Sequence, residues 1–372
     1  MRPLRRLGRP RLIALAVAAC LAIAGVLLAV VAPGARPVIP QTAPPDSHVP
    51  LLEYVKSLPG PGDDALVRPV GLAFASGTLY VSDSGAGVVR AFTARGRDRG
   101  EIGRGVLLVP GYVAVDEATG TLLVADRELG AVVRFSKDGK HTGELKPVDE
   151  STAAWAPLGV AADGLGAIAV GDSLREHRIL LMSRAGAVTA RIGADDANGS
   201  DAAAIDLDHP NSLAFKEGEL WVSDSNNRRV LVFGPGGDLR RLVRLQGITR
   251  GLAFLEGDDA ELGYVAVVDT LASDIVLLSA DGDEVSRYGR PGRDDGELAY
   301  PNDIAFDPDT AQLFVADTGN ARVQVWRVSW PSDPGGDAGI RRVPMAASRL
   351  FGLVLAGVGA ALAAVIALFR AR

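Results

Sequence analysis

The chain has 372 residues, 48% of them hydrophobic and 23% charged, with 45 acidic against 39 basic side chains and a single cysteine, Cys20. That charge content excludes a disordered or collagen-like chain, and one thiol excludes an intramolecular disulfide framework or a multi-cysteine zinc site. A mean hydropathy of +0.17 is high for such a composition, and the apolar excess lies in two uncharged runs at the ends.

Residues 1–11, MRPLRRLGRPR, carry five arginines and no acid, and residues 12–32 follow without a charge. About 20 apolar residues suffice to cross a hydrocarbon core, so this run predicts a transmembrane helix or signal anchor. Val17-Ala18-Ala19-Cys20 offers a lipobox-like alternative with lipidation at Cys20, against which stand the twelve uncharged residues that follow it. The arginine excess ahead of the run places the N-terminus in the cytoplasm by the positive-inside bias. Residues 33–50, with six prolines, read as a stiff extended tether. At the far end a linker, 331–349, leads to a second uncharged run, 350–369, and a short basic tail, 370–372. Two spans put both termini in the cytoplasm and everything between outside it, at a cell membrane.

Between the runs, residues 51–330 repeat one unit six times. A short apolar run ending in aspartate recurs as LYVSD, LLVAD, IAVGD, LWVSD, VAVVD and LFVAD, closing on Asp83, Asp126, Asp172, Asp224, Asp269 and Asp317. A spacing of 43 to 52 residues is the period of propeller blades. Each copy is preceded by another apolar strand (VGLAF, GYVAV, LGVAA, NSLAF, RGLAF, NDIAF) and followed by a third, such as VVRAF or VQVWR. A fourth, weaker strand is readable in most units but not after the sixth. LLEYVKSL at 51–58 supplies it, so strands from both ends of the region are expected to share one blade and leave no open sheet edge.

The copies YPNDIAFDPDTAQLFVADTGNARVQVW (300–326) and HPNSLAFKEGELWVSDSNNRRVLVF (209–233) resemble the NHL-repeat family of six-bladed β-propellers. The resemblance implies an all-β six-bladed propeller with four-stranded antiparallel blades, here with one transmembrane helix at each end. It does not imply one activity, because propellers serve both as enzymes and as pure binding modules.

The six aspartates recur in every blade, whereas a catalytic site needs a unique cluster, so a turn-capping role is expected of them. The segment PNDIAFDPDTAQLFVAD is also similar to a repeat of the regucalcin and gluconolactonase-like hydrolases. That similarity implies calcium or another divalent cation at the channel mouth, with Asn211, Asn302 and Asp303 as candidate ligands. Val70, Leu158 and Arg250 at the equivalent positions of other blades argue against it. The four histidines show no metal-binding spacing, and no GxSxG elbow exists.

The loops after the aspartates and the links between blades form one face. Trp155, Arg127, Arg175, His177, Asn227, Arg228, Arg250, Asn320 and Arg322 are the candidate partner-binding residues there. Residues 41–332 hold 28 Lys and Arg against 43 Asp and Glu, a net of −15 that disfavours nucleic acid. The expected function is thus a membrane-anchored, extracytoplasmic module, needing no cofactor, that binds a ligand or an envelope or membrane protein or peptide. A metal-dependent lactonase or esterase is the alternative.

Overall fold

The computed structural model describes residues 49–59, 65–148, 155–173, 177–193, 205–256 and 263–330. Among these residues, twenty-four strands form six four-stranded antiparallel sheets. The first blade holds β2 (Pro69–Ala75), β3 (Thr78–Asp83), β4 (Val88–Thr93) and β5 (Asp98–Ile102). The second holds β6 (Pro110–Asp116), β7 (Thr121–Asp126), β8 (Ala131–Phe135) and β9 (His141–Leu145). The third holds β10 (Pro157–Ala162), β11 (Ala167–Asp172), β12 (Arg178–Ser183) and β13 (Val188–Ile192). The fourth is β14 (Pro210–Lys216), β15 (Glu219–Asp224), β16 (Arg229–Phe233) and β17 (Leu239–Arg244). The fifth is β18 (Thr249–Leu255), β19 (Tyr264–Asp269), β20 (Asp274–Ser279) and β21 (Glu284–Tyr288). The sixth combines β22 (Ile304–Asp307), β23 (Gln312–Asp317) and β24 (Arg322–Ser329) with β1 (Leu51–Leu58) from the other end of the region.

β1 runs antiparallel to β24, from Leu51 opposite Ser329 to Leu58 opposite Val323. This pairing closes the ring and satisfies the backbone groups that an open outer edge would expose. The inner strands β2, β6, β10, β14, β18 and β22 each touch the next, and β22 touches β2, so the blades stand round a common axis.

Side-chain alternation explains why blades stack. In β7, Leu122 and Val124 point into the cluster shared with the first blade, while Leu123 and Ala125 point into the cluster shared with the third. Successive residues of a strand face opposite sides of the sheet, so the middle strands are apolar on both faces and sit between two neighbours. The buried side chains accordingly fall into six clusters, one at each seam between blades.

One part of the expected fold is corrected. The described structure is all-β apart from a 3-10 turn at Thr318–Asn320, and among the described residues no helix is long and apolar enough to cross a membrane. The two expected spans, 12–32 and 350–369, lie outside the described residues, as do the basic N-terminus, most of the 33–50 tether, the 331–349 linker and the tail.

Candidate functional site

Every inner strand begins at the loop face, where its second and third residues, or in the sixth blade the equivalent Asn302 and Asp303 just before β22, surround the channel mouth. The six residues at the third position alternate round the ring as Gly71, Tyr112, Gly159, Ser212, Gly251 and Asp303. A Cβ on Gly71 would come within 2.6 Å of the Tyr112 Cα, and one on Gly251 would collide with Asp303. Glycines in the odd blades therefore let the next inner strand approach, and the side chains of the even blades fill the centre.

Tyr112 of the second blade reaches across the mouth to the sixth, where its hydroxyl donates to the backbone and side-chain oxygens of Asn302, both at 3.2 Å. The same Asn302 Oδ1 accepts from Arg250 Nη1 of the fifth blade at 2.9 Å. Burial pushes the Tyr112 phenol up, and Arg250 only partly offsets it, so the hydroxyl stays protonated as a donor. Asp303 is buried beside this group, its Oδ2 accepting from the Leu72 amide at 2.7 Å. Desolvation raises its pKa to about 8, against the lowering effect of the Leu72 and Ile304 amides.

Asn211, Asn302 and Asp303 thus lie at the mouth, but they do not fit a resident divalent cation. Asn302 Oδ1 is held by a guanidinium, Asn211 Nδ2 donates inward to Ser225 Oγ at 2.6 Å, and Asp303 Oδ2 is taken by the Leu72 amide. A hard cation needs ionised or carbonyl oxygens facing a common point, and Arg250 occupies the position from which it would be repelled.

The six aspartates at the strand ends are buried, and they hold the face together. Each carboxylate accepts from backbone amides: Asp83 from Val67 and Arg68, Asp126 from Leu108 and Val109, Asp172 from Ala156, Asp224 from Asp208, and Asp317 from Ala299. Those donors lie on the link entering the same blade's inner strand, so the bonds clamp that link over its own blade. Asp269 instead caps the turn after it, through the amides of Leu271 and Ala272. Three of the expected binding residues serve these clamps. Asn227 donates to Asp224 Oδ2 at 2.9 Å, and Asn320 and Arg322 donate to Asp317 Oδ2 at 2.8 Å each.

The other candidates separate. Trp155 is 5% exposed and packs in the seam between the second and third blades, so it is not the surface anchor expected of it. Its ring supplies apolar area that the small Ala114, Ala125 and Ala162 of that cluster leave unfilled. Arg127 and Arg228 are exposed on the face, Arg250 lies at the channel mouth, and Arg175 falls outside the described residues. His177 joins a group that sequence spacing did not disclose. Its Nδ1 lies 3.1 Å from Asp208 Oδ1, which also takes His209 Nδ1 at 2.7 Å and Asn226 Nδ2 at 3.1 Å. Partial burial works against ionisation of Asp208, but the bonds from His209 and Asn226 outweigh it and hold its carboxyl below the usual range.

A second feature was equally invisible to motif reading. Val67, Leu108, Leu271 and Tyr300 are 60%, 56%, 57% and 64% exposed. Val67, Leu108 and Tyr300 adjoin the clamped links of the first, second and sixth blades, and Leu271 lies in the loop after Asp269. These are successive blades of the closed ring, so the side chains trace an apolar arc along one side of the face.

Comparison with known proteins agrees with the architecture. Residues 298–326, within the sixth blade, match the NHL repeat model. No curated protein matches the chain. Among solved structures, a streptogramin B lyase is similar at 15% identity over 76% of this chain and 100% of its own, with a TM-score of 0.51. A gluconolactonase from Xanthomonas campestris aligns at 17% identity over 75% of this chain and 100% of its own, at 0.56. An auxiliary nutrient binding protein from Bacteroides ovatus ATCC 8483 aligns at 13% identity over 76% and 77%, at 0.58. These likenesses show a shared fold, and the proteins that share it differ in what they do. The chain is a six-bladed β-propeller that carries an NHL repeat in its closing blade.

Proposed function

We propose that this chain is a binding module, a sensor or scaffold rather than a catalyst, and that a protein or peptide partner docks on its loop face. The observation that carries this reading is the arc of Leu271, Tyr300, Val67 and Leu108. Four large apolar side chains, each more than half exposed, stand on successive blades of the same face. The clamps beneath them keep the links rigid, which lowers the entropy lost when a partner docks. Tyr300 is the expected anchor, because a tyrosine joins apolar area to a hydrogen-bonding tip at little conformational cost. Its aliphatic neighbours select apolar side chains on the partner. The acidic body disfavours a polyphosphate partner. The guanidinium at the channel mouth weighs against the hydrolase reading that the gluconolactonase likeness raises.

A photo-crosslinking residue placed at position 300 of the full chain, in the cells that make it, tests this. The expected result is a discrete crosslinked species that disappears when Leu108 and Leu271 are changed to serine. The same residue at Leu165, 91% exposed in the hairpin on the opposite face, should not give it. Identical products from both positions would overturn the reading. So would hydrolysis of lactones or esters that is lost with chelator and in Asn302→Ala.

A further inference from the structure

We propose that His177, Asp208 and His209 form a binding site for a divalent transition metal of the zinc class, on the loop face at the seam between the third and fourth blades. The site stands apart from the apolar arc and does not depend on it. One ligand atom from each residue lies within 4.8 Å of both others, and this is the one such group of three among the described residues. Four ligands at ~2.0–2.1 Å in a tetrahedron stand about 3.3 Å from one another. The Nδ1 atoms of the two histidines already lie 3.1 and 2.7 Å from Asp208 Oδ1, and the ligand atoms of the histidines lie within 4.8 Å of each other, so the three stand near the spacing that a shared ion requires.

The chemistry of the set is selective. Two imidazoles and one carboxylate suit zinc and its borderline neighbours, whereas calcium and magnesium ask for oxygen throughout. Three protein ligands leave at least one position open, and the side-chain exposures of 25%, 41% and 41% turn that position toward solvent. This is the arrangement of a site that binds or polarises an exogenous oxygen ligand, not of a closed structural site.

The frame around the residues is built. Asp208 and His209 are fixed to the following loop because the Asp208 amide donates to Asp224, the Ser225 amide to the His209 carbonyl and the Asn226 amide to the Asp208 carbonyl. Asn226 Nδ2 lies 3.1 Å from both Asp208 Oδ1 and His209 Nδ1, tying the two ligand residues to the loop after Asp224. His177 arrives from the third blade at a left-handed φ of 43°, and His209 holds a φ of 58°. Those backbone turns bring the two ring centroids to 4.4 Å.

Titration of the purified, metal-free full chain with Co2+, read by its visible d–d absorption and then displaced by Zn2+, tests the assignment. We expect one ion per chain with the intense band of a four- or five-coordinate site. His177→Ala and His209→Ala should each weaken binding about 100-fold, and His141→Ala not at all. X-ray absorption of the zinc-loaded wild type should show two imidazoles, a readout that needs no variant to fold. A zinc shell without imidazole, or His177→Ala binding cobalt like the wild type, would overturn the proposal.

Discussion

Blades four and six meet the cost of a buried aspartate differently from blades one and two. In the fourth and sixth, the carboxylate takes an arginine Nε at 2.6 and 2.8 Å as well as an asparagine amide. Both arginines then reach back to link carbonyls, Arg229 to Asp206 and Arg322 to Asp294 and Glu297. In the first and second blades, backbone amides alone hold Asp83 and Asp126 among the described residues. The difference teaches that the Asn and Arg of the best repeat copies belong to the scaffold. On the proposed binding reading, what the face offers a partner comes from residues outside that network, the apolar arc and the exposed Arg127 and Arg228.

The largest expected effect tests this directly. Asp317→Ala strands the donors of Arg322, Asn320, Gln324 and the Ala299 amide, and removing one side of a buried ion pair costs about 3–5 kcal/mol. Equilibrium denaturant unfolding measures it. Asp126→Ala leaves only amides unpaired and should cost ~1–3 kcal/mol in the same assay. Equal losses in the two variants would break the distinction between the two kinds of blade.

Asp303 sharpens the comparison as a buried carboxyl with amide donors only. Its folded-state pKa of about 8 lies above the ordinary 3.8, so between those values the folded chain holds a proton that the unfolded chain has released. Stability from this group is full below the lower value and is lost as pH rises toward the upper one. The slope is at most about 1.4 kcal/mol per pH unit, and Asp303→Asn should flatten it in unfolding curves taken from pH 5 to 8. A slope unchanged in the variant would mean that another group carries it.

The blades were legible because their signal is local. Alternation in LLVAD or LWVSD places strand faces, the aspartate marks the strand end, and the recurrence of the unit counts the blades. Even ring closure could be read, since LLEYVKSL supplies the strand that the sixth unit lacks. The site was far less legible. Trp155 looked like an anchor because a tryptophan beside charged loops says nothing of the alanines that leave room for it in a seam. His177 reads in the sequence only as one of the loop-face residues available to a partner, since 30 positions separate it from Asp208 and no spacing rule joins them.

What the sequence by itself determined, then, was an all-β ring of six like units with acidic strand ends. Its physical basis is hydrophobic periodicity and turn chemistry, which act over a few residues. The tertiary structure alone decided which side chains meet. Ring closure carries Tyr112 across the mouth to Asn302, 190 residues away, fills the candidate cation position with Arg250, and gathers Val67, Leu108, Leu271 and Tyr300 into one arc. Packing the third blade against the fourth brings His177 to Asp208 and His209. Contacts of that kind depend on the relative placement of whole sheets, and no local pattern encodes it.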